Sequence, residues 1–341
     1  MEYNLLGNTG ISVSRIALGC GFRGLYDVED AVKAIDHAID SGINFIDCAN
    51  VYRLRSGSYA EEALGQVLRR RRNEIIITSK FGAPFTTDDG KALTGASATV
   101  MRECVEISLR RLNTDHIDFY LLHGPDGVTP VEETVKAFSK LYAEGKIRHY
   151  GLCNHSYESI ERICKYASEN GLVMPSVIQN PYSLINRSCE KGSFPLLKRY
   201  GMGFMGYSPL GTGLLGGAFS KGKGVPEKST WGHDENYKRY LGHLLKGRVG
   251  EVIEAVGQIA EVNGTSHASV AAAWVLGHED VSACILGCDN PIEIDDALKC
   301  LDSQLSSGQL ELLDSVSDGL CESLTAYEVA NKVKRLEGEG I

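Results

Sequence analysis

Short apolar segments alternating with amphipathic ones constrain this chain more than any other feature. Segments that read as buried strands fall at Arg15–Leu18, Asn44–Asp47, Ile75–Lys80, Ile117–Leu122, Ile147–Leu152, Val177–Gln179, Met202–Tyr207 and Ala283–Leu286. Between them lie segments with helical periodicity, such as Val28–Ser41, where Val28, Ala31, Val32, Ile35 and Ala38 share one face. Uniformly apolar strands that alternate with helices imply a parallel sheet covered by helices. Eight such units over roughly 250 residues match a closed barrel better than an open doubly wound sheet. The expected fold class is therefore α/β, a (β/α)₈ TIM barrel. Two runs flanking Gly7-Asn8-Thr9-Gly10 predict an N-terminal β-hairpin that caps it. A single domain is expected over 1–341, with the hairpin at 1–14, the barrel at about 15–300 and additional C-terminal surface helices at about 305–336. Gly211–Gly247, rich in Gly and Lys, shows no clear period and reads as a long loop. An open sheet would want a Gly-x-Gly-x-x-Gly turn after its first strand. Gly19 to Gly24 fits that pattern, but only Asp47 ends the second strand as an acid.

Composition narrows the partners. The net charge is -9 and the longest basic run, Arg69–Arg72, ends an amphipathic helix, where it complements the helix dipole. An acidic surface argues against nucleic acid. Ten cysteines are scattered with no Cys-x-x-Cys pair, which reads as a reduced intracellular protein. Cys284 and Cys288 lack a His or Cys partner at ligand spacing, so no metal is expected. The first residues show no basic-then-apolar leader, and no apolar run approaches the roughly 20 residues that span a bilayer. The expectation is a cytoplasmic protein with no membrane partner.

Polar groups sit where the strands end. Asp47, Lys80, His123, Cys153-Asn154, Gln179, Tyr207-Ser208 and Gly287 all follow an apolar strand, and Tyr52 lies in the loop after the second. In a parallel barrel, sites form at the carboxyl ends of the strands. A lysine near a tyrosine favours the phenolate, and an acid beside the lysine keeps it charged and aimed. A cation at about 4 Å is worth roughly 4 kcal/mol at a surface-like dielectric, or up to about three pKa units. Tyr52 is then expected to exchange a proton near neutral pH.

The motifs resemble those of the aldo-keto reductase family from Tyr3 to about Leu320. The carriers are Asn44-Phe45-Ile46-Asp47 with Tyr52, Thr78-Ser79-Lys80, Leu112 to His123, Gly145-Lys146-Ile147-Arg148, Gln179-Asn180, and Tyr207 to Leu215. The resemblance implies hydride transfer between a nicotinamide ring and a small-molecule carbonyl or alcohol, with Asp47, Tyr52, Lys80 and His123 as the catalytic set. It also implies that Asn154 and Gln179 bond the carboxamide and that Tyr207 stacks on the nicotinamide. Ser208, Leu210, Gly211 and Gly213 would hold the pyrophosphate, with Gly287 and Cys288 beside the adenosine ribose. Cys153 stands where the family usually has serine.

The adenosine end departs from the family pattern. Asp289 replaces the common serine, arginine or lysine, Ala218 a lysine, and Glu293 and Ala297 the usual glutamine and asparagine. A carboxylate repels a 2′-phosphate and accepts from ribose hydroxyls, so Asp289 favours NAD(H) over NADP(H), although Lys221 or Lys223 can still reach a phosphate. Arg53 and Arg55, in a long loop after Tyr52, suggest an anionic or sugar-like substrate. Two alternatives to the enzyme stand. One is a cofactor-binding regulatory subunit resembling the potassium-channel beta subunits. The other is a barrel that has lost dinucleotide binding. The oligomeric state is not legible.

Overall fold

The structure, a computed structural model, describes residues 1–22, 24–87, 89–219, 225–227, 229–232, 235–322, 324, 329 and 332–333. Eight parallel strands close into a barrel. They are β1 (Ile16–Gly19), β2 (Phe45–Asp47), β3 (Ile76–Phe81), β4 (Ile117–Leu122), β5 (Ile147–Cys153), β6 (Val177–Pro181), β7 (Gly203–Tyr207) and β8 (Ala283–Leu286). Each pairs with its neighbours in chain order, and β8 closes on β1 through Cys284–Ile16, Ile285–Ala17 and Leu286–Leu18. This is the expected (β/α)₈ fold.

Strand alternation builds two cores. Ala17, Phe45, Phe119, Leu121, Val177, Met205 and Ala283 pack together inside the barrel. Their neighbours Ile16, Leu18, Ile46, Tyr120, Leu122 and Phe204 face the helices. The interior is plugged from below by Leu6 and Val13 of the N-terminal hairpin, in which Tyr3–Leu5 pairs with Ser12–Ser14. The plug fits because Gly7 has φ +57° and a Cβ there would meet Gly203 N at 2.4 Å.

The helices start and stop on local chemistry. Helix α1 (Val28–Asp40) is capped by Asp27, which accepts from Asp30 N, and it buries Ala31, Ala34, Ile35, Ala38 and Ile39. Helix α2 (Ala60–Arg71) opens with Glu62 reaching back, its Oε2 accepting from Tyr59 N at 3.0 Å. Helix α3 (Ala98–Leu112) is capped by Ser97 and ends on Asn113 in the left-handed region. Loss of one such cap costs about 1 kcal/mol.

One expectation fails here. The stretch 211–247 is not all loop, because Glu235–Lys246 is a helix burying Tyr240, Leu241 and Leu244. Tyr237 and Leu245 extend this apolar stripe to the helical period, and the Gly- and Lys-rich stretch before it obscures the pattern. A short hairpin, Phe85–Thr86 with Ala92–Leu93, also went unread. Of the C-terminal helices, Ser307–Ser317 forms inside the expected 305–320, while the second lies almost wholly outside the described residues, as do Lys221 and Lys223. No helix among the described residues is long and apolar enough to cross a membrane.

Candidate active site

A cleft of about 1930 Å³ runs over the carboxyl ends of the strands. That is about twice the upper end of the range for a single drug-sized ligand. On one side β2 and β3 pair in register, Asp47 against Thr78. Their ends hold a buried ion pair. Lys80 Nζ donates to both Asp47 oxygens at 2.8 Å, to Cys48 O at 2.8 Å and to the Tyr52 hydroxyl at 3.4 Å. The ammonium thereby spends all its donors. Asp47 Oδ1 also accepts from Thr78 Oγ1 at 2.5 Å and Gln179 Nε2 at 2.7 Å. Lys80 is 0 % exposed and Asp47 3 %. Asp47, Tyr52, Gln179 and His123 line the cleft, with Lys80 and Thr78 behind them.

Burial opposes the Lys80 charge, but Asp47 and Tyr52 more than offset it and hold its pKa well above the usual lysine value. The expectation for Tyr52 is overturned. Burial pushes its phenol up to about 12, Lys80 pulls against this, and Asp47 adds to it. The ring is half-buried and lines the cleft. Desolvation of the phenolate thus outweighs the lysine, and Tyr52 is a protonated acid at neutral pH. His123 packs edge-on against Tyr52 with centroids 5.9 Å apart. Burial and Lys80 push its pKa down to about 3, against Asp47. Its Nδ1 is buried without a partner among the described residues, and the residue lines the cleft.

The other wall comes from β5 to β8. Asn154 (φ +59°) donates from Nδ2 to His123 O at 2.7 Å, and its Oδ1 accepts from the Tyr207 hydroxyl at 2.6 Å. Cys153 Sγ lies 3.5 Å from Gln179 Oε1, and burial pushes the thiol up to about 12. Ser208, Gly211, Thr212 and Gly213 all have positive φ (53°, 52°, 55°, 87°) in the loop after β7. Within this loop Gly211 N donates to Ser208 O at 2.9 Å and Leu215 N to Leu210 O at 3.0 Å. This strained loop and the length of the cleft fit a dinucleotide. Ser208, Leu210 and Gly213 line the cleft, whereas Gly211 lies behind, tight against Ile185.

At the far end Gly287, Cys288 and Glu293 line the cleft, but Asp289 does not. Its carboxylate accepts from Gly24 N at 2.6 Å, and its own N–H donates to Glu293 Oε2 at 2.8 Å. The acidic lining is instead Glu293, Asp295 and Asp296, with Lys299 paired to Asp296 at 2.9 Å. Arg53 is likewise outside the cleft. It bonds Gly57 O at 2.7 Å and stacks on Tyr59, fastening its own loop. Sequence reading missed Thr78, whose only signal was its place two residues before Lys80. It also missed Asp126, a cleft residue that accepts from Ala96 N at 2.8 Å and Thr129 N at 2.9 Å and so ties two loops together.

A closed parallel barrel with a buried lysine–carboxylate pair behind a cleft tyrosine defines an oxidoreductase of the barrel class. The family model described as "Aldo/keto reductase family" matches residues 15–318, and the chain belongs to this family. Its enzymes act on small-molecule carbonyl substrates and use nicotinamide cofactors. Over 308 residues it is 33% identical to "Probable voltage-gated potassium channel subunit beta" of Oryza sativa subsp. japonica, covering 89% of this chain and 92% of that one. It is 32% identical to "Probable aldo-keto reductase 1" of Glycine max, covering 92% and 88%. It is 27% identical to "L-glyceraldehyde 3-phosphate reductase" of Escherichia coli O157:H7, covering 93% and 96%.

Proposed function

We propose that this chain interconverts an uncharged aldehyde, ketone or sugar with its alcohol, using Tyr52 as the general acid in reduction and the base in reverse. One observation carries the reading. The Tyr52 hydroxyl lies 3.4 Å from Lys80 Nζ on the cleft wall it shares with His123. A bound nicotinamide supplies the hydride in reduction and takes it up in oxidation. Tyr52 gives its proton to the carbonyl oxygen as charge builds there. Lys80 then stabilises the phenolate left behind, and Asp47 keeps Lys80 aimed. Neutral His123 steers the carbonyl oxygen toward Tyr52. Asn154, Gln179 and Tyr207 would hold the nicotinamide end, and the loop from Ser208 to Gly213 the pyrophosphate.

The preferred cofactor in this reading is NAD(H). Its support moves from Asp289 to Glu293, Asp295 and Asp296, which line the adenosine end beside a lysine already paired. Carboxylates there repel a 2′-phosphate. The only cation lining the cleft among the described residues is Lys299, at the end far from Tyr52, which supports an uncharged substrate over a phosphorylated one. A second reading, a cofactor-binding channel subunit, draws on relatives from rice, Arabidopsis thaliana and Schizosaccharomyces pombe whose names give a voltage-gated potassium channel subunit beta.

The test is a fluorescence titration with NADH and NADPH, followed by a carbonyl and sugar panel with wild type and Tyr52→Phe. Saturable binding is expected, with turnover falling by about 10²- to 10⁴-fold in Tyr52→Phe at unchanged nucleotide affinity. Binding without turnover of any substrate favours the subunit reading, and no binding at millimolar nucleotide sinks both.

A further inference from the structure

We infer that Arg111, outside the cleft, is a positioning residue that sets the distance between Tyr52 and Lys80. The inference rests on the reading of Tyr52 as the acid–base group. Tyr52 hangs on a segment that leaves the sheet after Asp47. Cys48 N still bonds Thr78 O at 3.1 Å, but the next tie, Asn50 N to Lys80 O, is stretched to 3.4 Å. Beyond it the segment leaves the sheet and bonds itself, the start of α2 and the loop before α1, through Tyr52 N to Ala49 O at 3.1 Å, Ala60 N to Tyr52 O at 2.9 Å, and Arg55 N to Leu25 O and Ser56 N to Tyr26 O at 3.0 Å. The sheet therefore does little to hold Tyr52 at its distance from Lys80.

Arg111, one residue from the end of α3, supplies what is missing. Its Nη1 donates to Asn50 O at 3.0 Å, two residues before Tyr52. The same nitrogen lies 3.5 Å from Glu61 Oε2, and Glu61 Oε1 accepts from Ser79 Oγ at 2.6 Å, one residue before Lys80. One ion pair thus grips both chain segments that carry the proton-transfer groups. The guanidinium also lies 3.2 Å from the centroid of Tyr59, which begins α2.

This pair is costly to keep. The Glu61 side chain is 0 % exposed and that of Arg111 8 %. Burial pushes the Glu61 pKa up against the bonds from Ser79 and Arg111. Apolar residues of like volume often replace a buried pair without loss of stability, so stability alone does not account for it. A planar guanidinium that can bond a carbonyl, face a carboxylate and lie on a ring is suited to fixing geometry. Misplacement of reacting groups by about 1 Å can cost roughly a hundredfold in rate.

The test compares Arg111→Met and Arg111→Lys with wild type and Tyr52→Phe. The readouts are kcat, nucleotide Kd by fluorescence, Tm, and kcat with added guanidinium ion. Arg111→Met is expected to lower kcat by about ten- to hundredfold, with nucleotide Kd within about twofold of wild type. Guanidinium should restore part of the loss, and Arg111→Lys should fall in between. Wild-type kcat in either variant overturns the inference. So does a loss of kcat matched by an equal loss of nucleotide affinity, with no rescue by guanidinium or by lysine. If Arg111→Met does not fold, Arg111→Lys decides alone, by reduced kcat at unchanged Kd or by wild-type kcat. An active Tyr52→Phe would instead show that the reading of Tyr52 is the part that failed.

Discussion

Gln179 donates from Nε2 to Asp47 Oδ1 at 2.7 Å, and this bond spans the mouth of the barrel. The two residues belong to β6 and β2, four strands apart in a ring of eight. The side chain that the family resemblance assigns to the nicotinamide carboxamide is therefore wired to the carboxylate that aims Lys80.

Gln179→Met should act on both sides of that wire. A hydrogen bond to a buried charge is worth about 1.5–3 kcal/mol. The variant should lose roughly that much stability in urea and also bind NADH more weakly and turn over more slowly. Unchanged kcat with weakened binding would mean that Gln179 serves the cofactor alone.

Lys80→Met leaves Asp47 buried without its counter-charge. Removing one partner of a buried pair costs about 3–5 kcal/mol. The urea midpoint should fall accordingly and turnover should vanish. Asp47→Leu combined with Lys80→Met should recover most of the stability and none of the activity. A double variant no more stable than Lys80→Met would locate the loss elsewhere.

Acid should destabilise the fold through His155. This imidazole is 3 % exposed and bonds Cys153 O through Nδ1 at 2.8 Å. Burial pushes its pKa from 6.5 down to about 4, against the bond to Cys153. Between those values the unfolded chain binds a proton that the folded chain refuses, so stability falls as pH drops through that window. The loss approaches about 3 kcal/mol by its lower end. Urea midpoints across the window should show the slope, and His155→Gln should reduce it by about half, because His123 refuses its proton over the same range. Parallel slopes in the two proteins would refute this account.

Charge at the adenosine end should set cofactor choice. Glu293→Gln removes a cleft carboxylate while its amide oxygen can still accept from Asp289 N. NADPH binding should tighten by about tenfold, as for removal of one partly screened repulsion, with NADH little changed. Isothermal titration with both nucleotides checks this. A parent protein that already prefers NADPH contradicts the premise.

Much of this molecule was legible before any coordinates. Residues 16–18 and 119–122 show as short apolar runs, and α1 shows its helical stripe from Val28 to Ala38, while the assignment of Ala17 and Phe119 to the barrel interior came with the structure. The helix Glu235–Lys246 has a full helical stripe of Tyr237, Tyr240, Leu241, Leu244 and Leu245, but it lies inside a Gly- and Lys-rich stretch whose composition reads as loop.

The sequence by itself determined the barrel and the order in which Asp47, Lys80, His123, Asn154, Gln179 and Tyr207 reach its mouth, because periodicity and strand ends are local properties of a chain. The tertiary structure alone decided that Gln179 turns to Asp47, that Asp289 turns to Gly24, and that burial outweighs Lys80 in setting the Tyr52 proton. Hydrogen-bond partners and desolvation depend on groups brought together from distant strands, and no local pattern encodes their balance.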